Sequence, residues 1–92
     1  MKLEIISPEA VLLQAEVKSV AVPGANGEFQ MLDNHAPIVS LLVEGLVKID
    51  GNLSFNDEVK SLFSKHTDGR WVLPINGGTL EMSNNKVIIL AD

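Results

Sequence analysis

A chain of 92 residues with 46% apolar residues and no cysteine has room for one hydrophobic core, held by packing and not by disulfides or thiolate metal sites. Its formal net charge of −5, with seven basic residues scattered along the sequence, argues against nucleic acid as a partner, because that binding rests on neutralising phosphates. The longest apolar runs, 38–43 and 87–90, fall far short of the roughly 20 residues that span a bilayer. The start, Met1-Lys2-Leu3-Glu4, lacks the pattern of a signal peptide, so a cytoplasmic protein without direct membrane insertion is expected.

Residues 2–6 alternate, with Leu3 and Ile5 on one face and Lys2 and Glu4 on the other, which predicts a strand. Ser7-Pro8-Glu9 is a turn, and residues 10–16, with Val11, Leu12 and Leu13 in a row, fit a strand buried on both faces or one helical turn; the short length and the turn before it favour a second strand. A third runs from 17 to 22 and breaks at Pro23-Gly24, with a tight turn at Asn26-Gly27, a pair that tolerates positive φ. The returning strand, 28–32, places Phe29 and Met31 on one face. Asp33-Asn34-His35-Ala36-Pro37 follows as a polar loop closed by a proline.

Residues 38–43 are apolar on both faces, as expected of a strand packed on the core on one side and on something else on the other. Either that second cover belongs to the chain itself or the strand exposes a patch that favours association. Glu44-Gly45 is a break, and 46–50 alternates with Val47 and Ile49 inward, although Leu46 interrupts the polar side. Farther on, Phe55, Val59, Leu62 and Phe63 fall at i, i+4, i+7 and i+8, predicting a short inserted helix within 54–66 with Asn56 as its cap. Two ragged strands joined by a loop are the competing reading. Asp68-Gly69 is a turn, 71–76 is a strand that Pro74 assigns to an edge or bulge, and 79–83 with 86–90 forms a last hairpin around Asn84-Asn85. Strands this short and this regularly spaced predict a single all-β domain over 1–92, a sandwich or barrel.

Chemistry has little to work with. Asp33, His35 and Glu28 could supply a carboxylate beside an imidazole, but no nucleophile is marked out. Ser7 and Ser40 stand in ordinary contexts, so His35 is expected to bond within its own loop or across an interface. His35 and His66 lack a second histidine at ligand spacing. Gly24-Ala25-Asn26-Gly27 lacks the lysine and following helix of a phosphate loop. Neither catalysis, metal nor cofactor is expected, and a surface for a protein partner remains. A small ligand-binding or protein-interaction sandwich is the alternative, although aromatics at 4% of the chain give a carbohydrate platform little support.

Three blocks in order carry a family resemblance. Leu3-Glu4-Ile5-Ile6-Ser7-Pro8-Glu9 opens the chain. Pro23-Gly24, Gly27-Glu28-Phe29 and His35-Ala36-Pro37 follow. Gly77-Gly78-Thr79-Leu80-Glu81-Met82, Lys86-Val87 and Leu90-Ala91-Asp92 close it. Together they resemble the N-terminal domain of the epsilon subunit of F-type ATP synthases, called delta in mitochondria; residues 51–70 match poorly. The resemblance implies a flattened β-sandwich or barrel of about ten short strands. It implies a non-catalytic rotor component of the central stalk, without cofactor, peripheral at the cytoplasmic face of the bacterial inner membrane. Its partners would be the gamma subunit and the c ring, and it would help couple proton or sodium ion flow to ATP synthesis. Glu28 matches the loop that faces the c ring, and Asn34, His35 and Ser40 match positions near the gamma and c-ring contacts.

Two departures stand out. Asp33-Asn34 replaces the Pro-Gly or Pro-Asn usual before His-Ala-Pro, and the chain stops at Asp92 where most members continue into a pair of helices that can inhibit ATP hydrolysis. A short form without that hairpin or an ATP site is therefore expected, with residues 53–65 partly replacing the missing contacts.

Overall fold

Period-two patterning resolves into ten strands in the computed structural model, which describes residues 1–92: β1 (Lys2–Ile6), β2 (Val11–Glu16), β3 (Ser19–Gly24), β4 (Gly27–Leu32), β5 (Ile38–Leu42), β6 (Gly45–Asp50), β7 (Ser64–Lys65), β8 (Trp71–Ile75), β9 (Gly78–Ser83) and β10 (Lys86–Ala91). Pairing is continuous in the order β2-β1-β10-β9-β5-β3-β6-β8-β7, with β4 also on β3; the single-pair link between β5 and β3 divides this curled sheet into two halves, β2-β1-β10-β9-β5 and β4-β3-β6-β8-β7, that face each other as the two sheets of a sandwich. All neighbours are antiparallel except β1 and β10, the first and last strands, which run parallel side by side. The sheets meet at a corner where Gly24 of β3 pairs with Leu42 of β5. There Val43 N–H donates to the Pro23 carbonyl at 2.8 Å and Ala25 N–H donates to that of Leu41 at 3.3 Å.

Between the sheets lies a core that takes alternate residues from nearly every strand: Leu3, Ile5, Val20, Val22, Met31, Val47, Ile49, Leu80, Met82, Val87 and Ile89 are all but fully buried. The alternating readings of 2–6, 46–50 and the final hairpin therefore hold. Turn chemistry holds at Asn84-Asn85, both with positive φ (50° and 58°) as a two-residue hairpin turn requires. It shifts at the earlier hairpin. Pro23 and Gly24 remain in β3, and the turn is Ala25-Asn26, flanked by the Gly24–Gly27 pair. A Cβ on Gly24 would come within 2.6 Å of the Phe29 ring and 2.8 Å of the Gly27 carbonyl. Pro74 is tolerated because β7 pairs only with Trp71 and Val72, leaving the rest of that edge of β8 open.

The inserted helix is not formed. Residues 54–66 contain a single 3-10 turn, Lys60–Leu62, between irregular backbone and the two residues of β7. Asn56 contributes its carbonyl, which accepts from Val59 and Lys60 N–H at 3.1 and 3.0 Å, and not a side-chain cap. The reason is in the aromatics. Phe55 and Phe63 stack with ring centroids 4.3 Å apart, and Trp71 meets Phe55 edge-on at 4.9 Å. Positions i and i+8 of a continuous α-helix are separated by about 12 Å along its axis, so a stacked pair requires the chain to double back. With Val59 and Phe63 buried, the segment plugs the side of the sandwich away from the Gly24–Leu42 corner. Ser54 and Asn56 line a hollow with residues 11–14 of the β2 edge. Residues 53–65 thus serve as core cover, with Leu53 and Phe55 packed against the buried cluster that Val59 and Phe63 join.

Glycine is indispensable at Gly78, where φ is 150° and a Cβ would lie 2.1 Å from the Leu90 carbonyl oxygen on β10. Gly27 has φ 117° with open space around it. Gly27→Ala is thus expected to cost about 1–2 kcal/mol from backbone strain alone, and Gly78→Ala about 3 kcal/mol or more. Urea denaturation of both variants checks the order, and equal costs would contradict it.

The chain's first residue is part of the packing. Met1 is buried, and its ammonium makes ion pairs with Asp33 at 2.8 Å and Glu16 at 3.3 Å. Hydrogen bonding to Asp33, outweighing partial desolvation, raises the amine above its ordinary pKa of 8.0. A group whose folded pKa is raised contributes stability that is complete below its unfolded value and lost as pH climbs through the folded one. The urea midpoint gap between the native chain and Asp33→Asn should therefore narrow as pH rises from about 7 to above the ordinary α-amino range. A gap that stays constant would contradict the ion pair's role.

Candidate interaction surface

The sandwich has two ends, and the residues singled out in sequence divide between them. At one end stands the tip of the β3–β4 hairpin. Its hollow, about 300 Å³, is lined by Gly24, Ala25, Asn26, Gly27, Glu28, Phe29 and Ser40. Glu28 and Ser40 are thus brought together. Ser40 lies on the inward face of β5 beside Leu80 of β9, half-buried, and its hydroxyl donates to the Leu41 carbonyl at 3.2 Å.

At the other end, roughly 17 Å away along six residues of β4, are Asn34 and His35. Asn34 sits at φ 60°, and its N–H donates to the Asn85 side-chain oxygen at 2.8 Å, tying the polar loop to the β9–β10 turn. His35 donates its N–H to the Leu32 carbonyl, and its ring Nδ1 lies 2.7 Å from the Ala36 carbonyl. The imidazole is satisfied within its own loop. Asp33 is committed to the Met1 ammonium and Glu28 to Lys48, so the carboxylate–imidazole pairing considered from sequence is not assembled.

A third feature lies on the outward face of the β2-β1-β10-β9-β5 sheet. Register places Leu41, Thr79, Leu90 and Ile6 in one row across four strands, with Val39, Glu81, Ile88 and Glu4 in the next. Val39 is 76% exposed, Leu41 68% and Leu90 50%. The row borders a shallow depression that includes Pro8, Ala25, Val43 and Asp92. Toward the opposite end, Ser83, Lys86, Lys2 and Glu16 make the same face polar. Residues 38–43 are apolar on both faces; the plug of residues 53–65 does not cover the outward one, where Val39 and Leu41 stay exposed, so the patch is open. Leu90 and Ile6 were not singled out, because their alignment with Leu41 depends on cross-strand register. The run 87–90, apolar without alternation, was the available signal.

The outward face of the other sheet is charged. Lys48 Nζ and Glu28 Oε1 are 3.0 Å apart. Beyond them Arg70 grips Asp68 through two nitrogens, each 2.8 Å from Oδ2, which lowers the Asp68 carboxyl to a pKa of about 2.

Comparison with known proteins fits this geometry. The whole chain, residues 1–92, matches the family described as ATP synthase, Delta/Epsilon chain, beta-sandwich domain. Among its relatives are the ATP synthase epsilon chains of Campylobacter concisus, 35% identical over all of this chain and 60% of that protein, and of Chlorobium limicola, 35% identical over 99% of this chain and 88% of that one. The chain thus spans about 60% of the length of the first curated relatives it matches. Similar folds occur in the mitochondrial ATP synthase central stalk and c-ring structure of Tetrahymena thermophila, with TM-score 0.70 at 13% identity over 98% of this chain and 61% of that one. The OSCP/F1/c-ring structure of the Euglena gracilis enzyme gives TM-score 0.72 at 18% identity over 97% of this chain and 48% of that one. The chain belongs to the ATP synthase delta/epsilon family, whose β-sandwich domain it comprises.

Proposed function

We propose that this protein is a non-catalytic central-stalk component of an F-type ATP synthase, peripheral at the cytoplasmic face of a bacterial inner membrane. It docks gamma through the outward face of the β5-β9-β10-β1 sheet and meets the c ring with the β3–β4 tip. The observation that carries the reading is the open row of Val39, Leu41 and Leu90 on a sheet whose opposite face is already filled by core. Covering a side chain of this kind is worth about 1.5–3 kcal/mol when burial is complete, and three together give a partner reason to stay. Ala25 borders both this face and the Glu28 hollow, so the two proposed contacts adjoin at the hairpin turn. Asn34 and His35, at the far end, fall to gamma.

Coupling of ion flow to ATP synthesis then requires only that the domain transmit torque while held between two partners. Leu41→Lys is expected to leave the urea midpoint unchanged and to weaken binding to gamma of the source organism at least about tenfold, the scale of a central interface residue. Undiminished affinity in a titration would rule the face out. Glu28→Arg should preserve the fold and gamma binding yet lower ATP-driven ion pumping in reconstituted vesicles; normal pumping would remove the tip from the c-ring contact.

A further inference from the structure

Hydrogen bonding in the β3–β4 hairpin leaves one side of β4 unpaired. The two-residue turn makes Gly24 and Gly27 its closing bonded pair, and bonded and non-bonded pairs alternate from there. Gly27, Phe29 and Met31 therefore bond to β3, while Glu28, Gln30 and Leu32 direct their N–H and C=O groups away from it. Surrounding contacts agree with this phase. Pro23, opposite Glu28, has no N–H to give, and its carbonyl turns to the far side of β3, where it accepts from Val43 N–H. The Leu32 carbonyl turns off the edge and accepts from His35 N–H. Both main-chain groups of Glu28 and of Gln30, with the Leu32 N–H, have no partner within the chain.

Other edges of the sheet are blunted. A register shift between Ile5 and Ile6 interrupts the pairing of β2, Pro74 and the two residues of β7 break up the edge of β8, and β5 starts just after Pro37 and ends bonded at the Gly24 corner. β4 has neither bulge nor proline along its six residues. Its single charge leans off the edge, since Glu28 reaches back across β3 to Lys48 of β6.

An edge of this kind fits an extended backbone, whose side chains share faces with those they oppose. The residue opposite Phe29 points inward, into the hollow of about 300 Å³ that Phe29 and Ser40 line. The residue opposite Leu32 lies outward against a side chain that is 54% exposed, where an apolar partner is favoured. A second copy is a poor occupant, because pairing two β4 strands joins two chains of net charge −5. The edge runs from the tip to the Asn34–His35 loop, so it is continuous with the surface proposed for gamma.

We propose that gamma contributes an extended segment to the open edge of β4, pairing with the main chain of Glu28 and Gln30 and with the Leu32 N–H, and setting an apolar residue against Leu32. This rests on the central-stalk reading and deepens it by naming the form the partner takes. Backbone makes the pairing, so the Glu28 side chain is left to the tip.

Amide hydrogen exchange, read by NMR on the ¹⁵N-labelled chain, tests the edge. In the free chain Phe29 and Met31 should exchange slowly and Glu28, Gln30 and Leu32 fast; a Gln30 amide as slow as that of Phe29 overturns the open edge. Unlabelled gamma of the source organism should slow the three edge amides at least about tenfold. Edge amides that stay fast within a stable complex overturn the strand pairing alone, whereas failure to form any complex overturns the central-stalk reading with it. Protection that grows with the concentration of the free chain gives the edge to a second copy and overturns the proposal. Gln30→Pro supplies an independent measurement. It removes an N–H without a partner in the free chain, so the urea midpoint should hold, while affinity for gamma should fall at least about tenfold as the incoming carbonyl loses its donor and meets the ring. Native affinity in the folded variant overturns the pairing; should the variant fail to fold, the exchange pattern decides.

Discussion

Much of this architecture hangs on one close approach, the corner where Gly24 pairs with Leu42. Because the two five-stranded sheets share no other register pair there, β5 can leave one sheet and the chain can enter the other through Glu44 without a long connection. No larger residue fits at Gly24, with Phe29 and the Gly27 carbonyl already in the space a Cβ would take. The corner also fixes how the hairpin tip and the apolar row lie. It sets the β3–β4 tip beside the ends of β5, β9 and β10, so that the Glu28 hollow and the apolar row abut at Ala25.

The opposite side of the sandwich is closed by different means. Where the strand edges of β2 and β7 leave the core open, residues 51–63 lay Val59 and Phe63 into it and stack Phe55 between Phe63 and Trp71. Lys65 caps this cluster, its ammonium 4.7 Å above the Trp71 ring. An irregular segment thus does the work of an additional sheet strand. It spends its aromatics on the core and keeps Leu62 as its one strongly exposed large apolar side chain.

Strand positions were legible in the sequence because one face of each sheet is wet, so apolar and polar residues alternate visibly at 2–6 and 46–50. Turns were legible wherever positive φ selects asparagine or glycine, as at Asn84-Asn85. What failed was the helix: Phe55, Val59 and Phe63 have helical spacing, but stacking of the first on the third is a tertiary preference that spacing does not encode. Pro23-Gly24 was read as a break for a related reason, since proline's missing donor matters only where a neighbouring strand needs it. Of the candidate site, Glu28 and Ser40 converge and Asn34 and His35 stand apart, a division set by the run of β4 and invisible in residue types. The apolar row was half legible: 38–43 announced itself, whereas Leu90 and Ile6 join it only through the parallel β1–β10 pairing, the longest-range contact in the sheet.

The absence of cysteine makes the proposed docking face directly measurable. Single-cysteine variants at Val39, Leu41 and Leu90, with Leu62 as a control on the plug, can be labelled with a maleimide in the presence and absence of gamma from the source organism. The account predicts that gamma slows labelling at the three sheet positions by at least about tenfold while leaving the Leu62 site unchanged. Unaltered reactivity at Leu41 and Leu90 within a stable complex would contradict it and would move the gamma interface to another face of the domain.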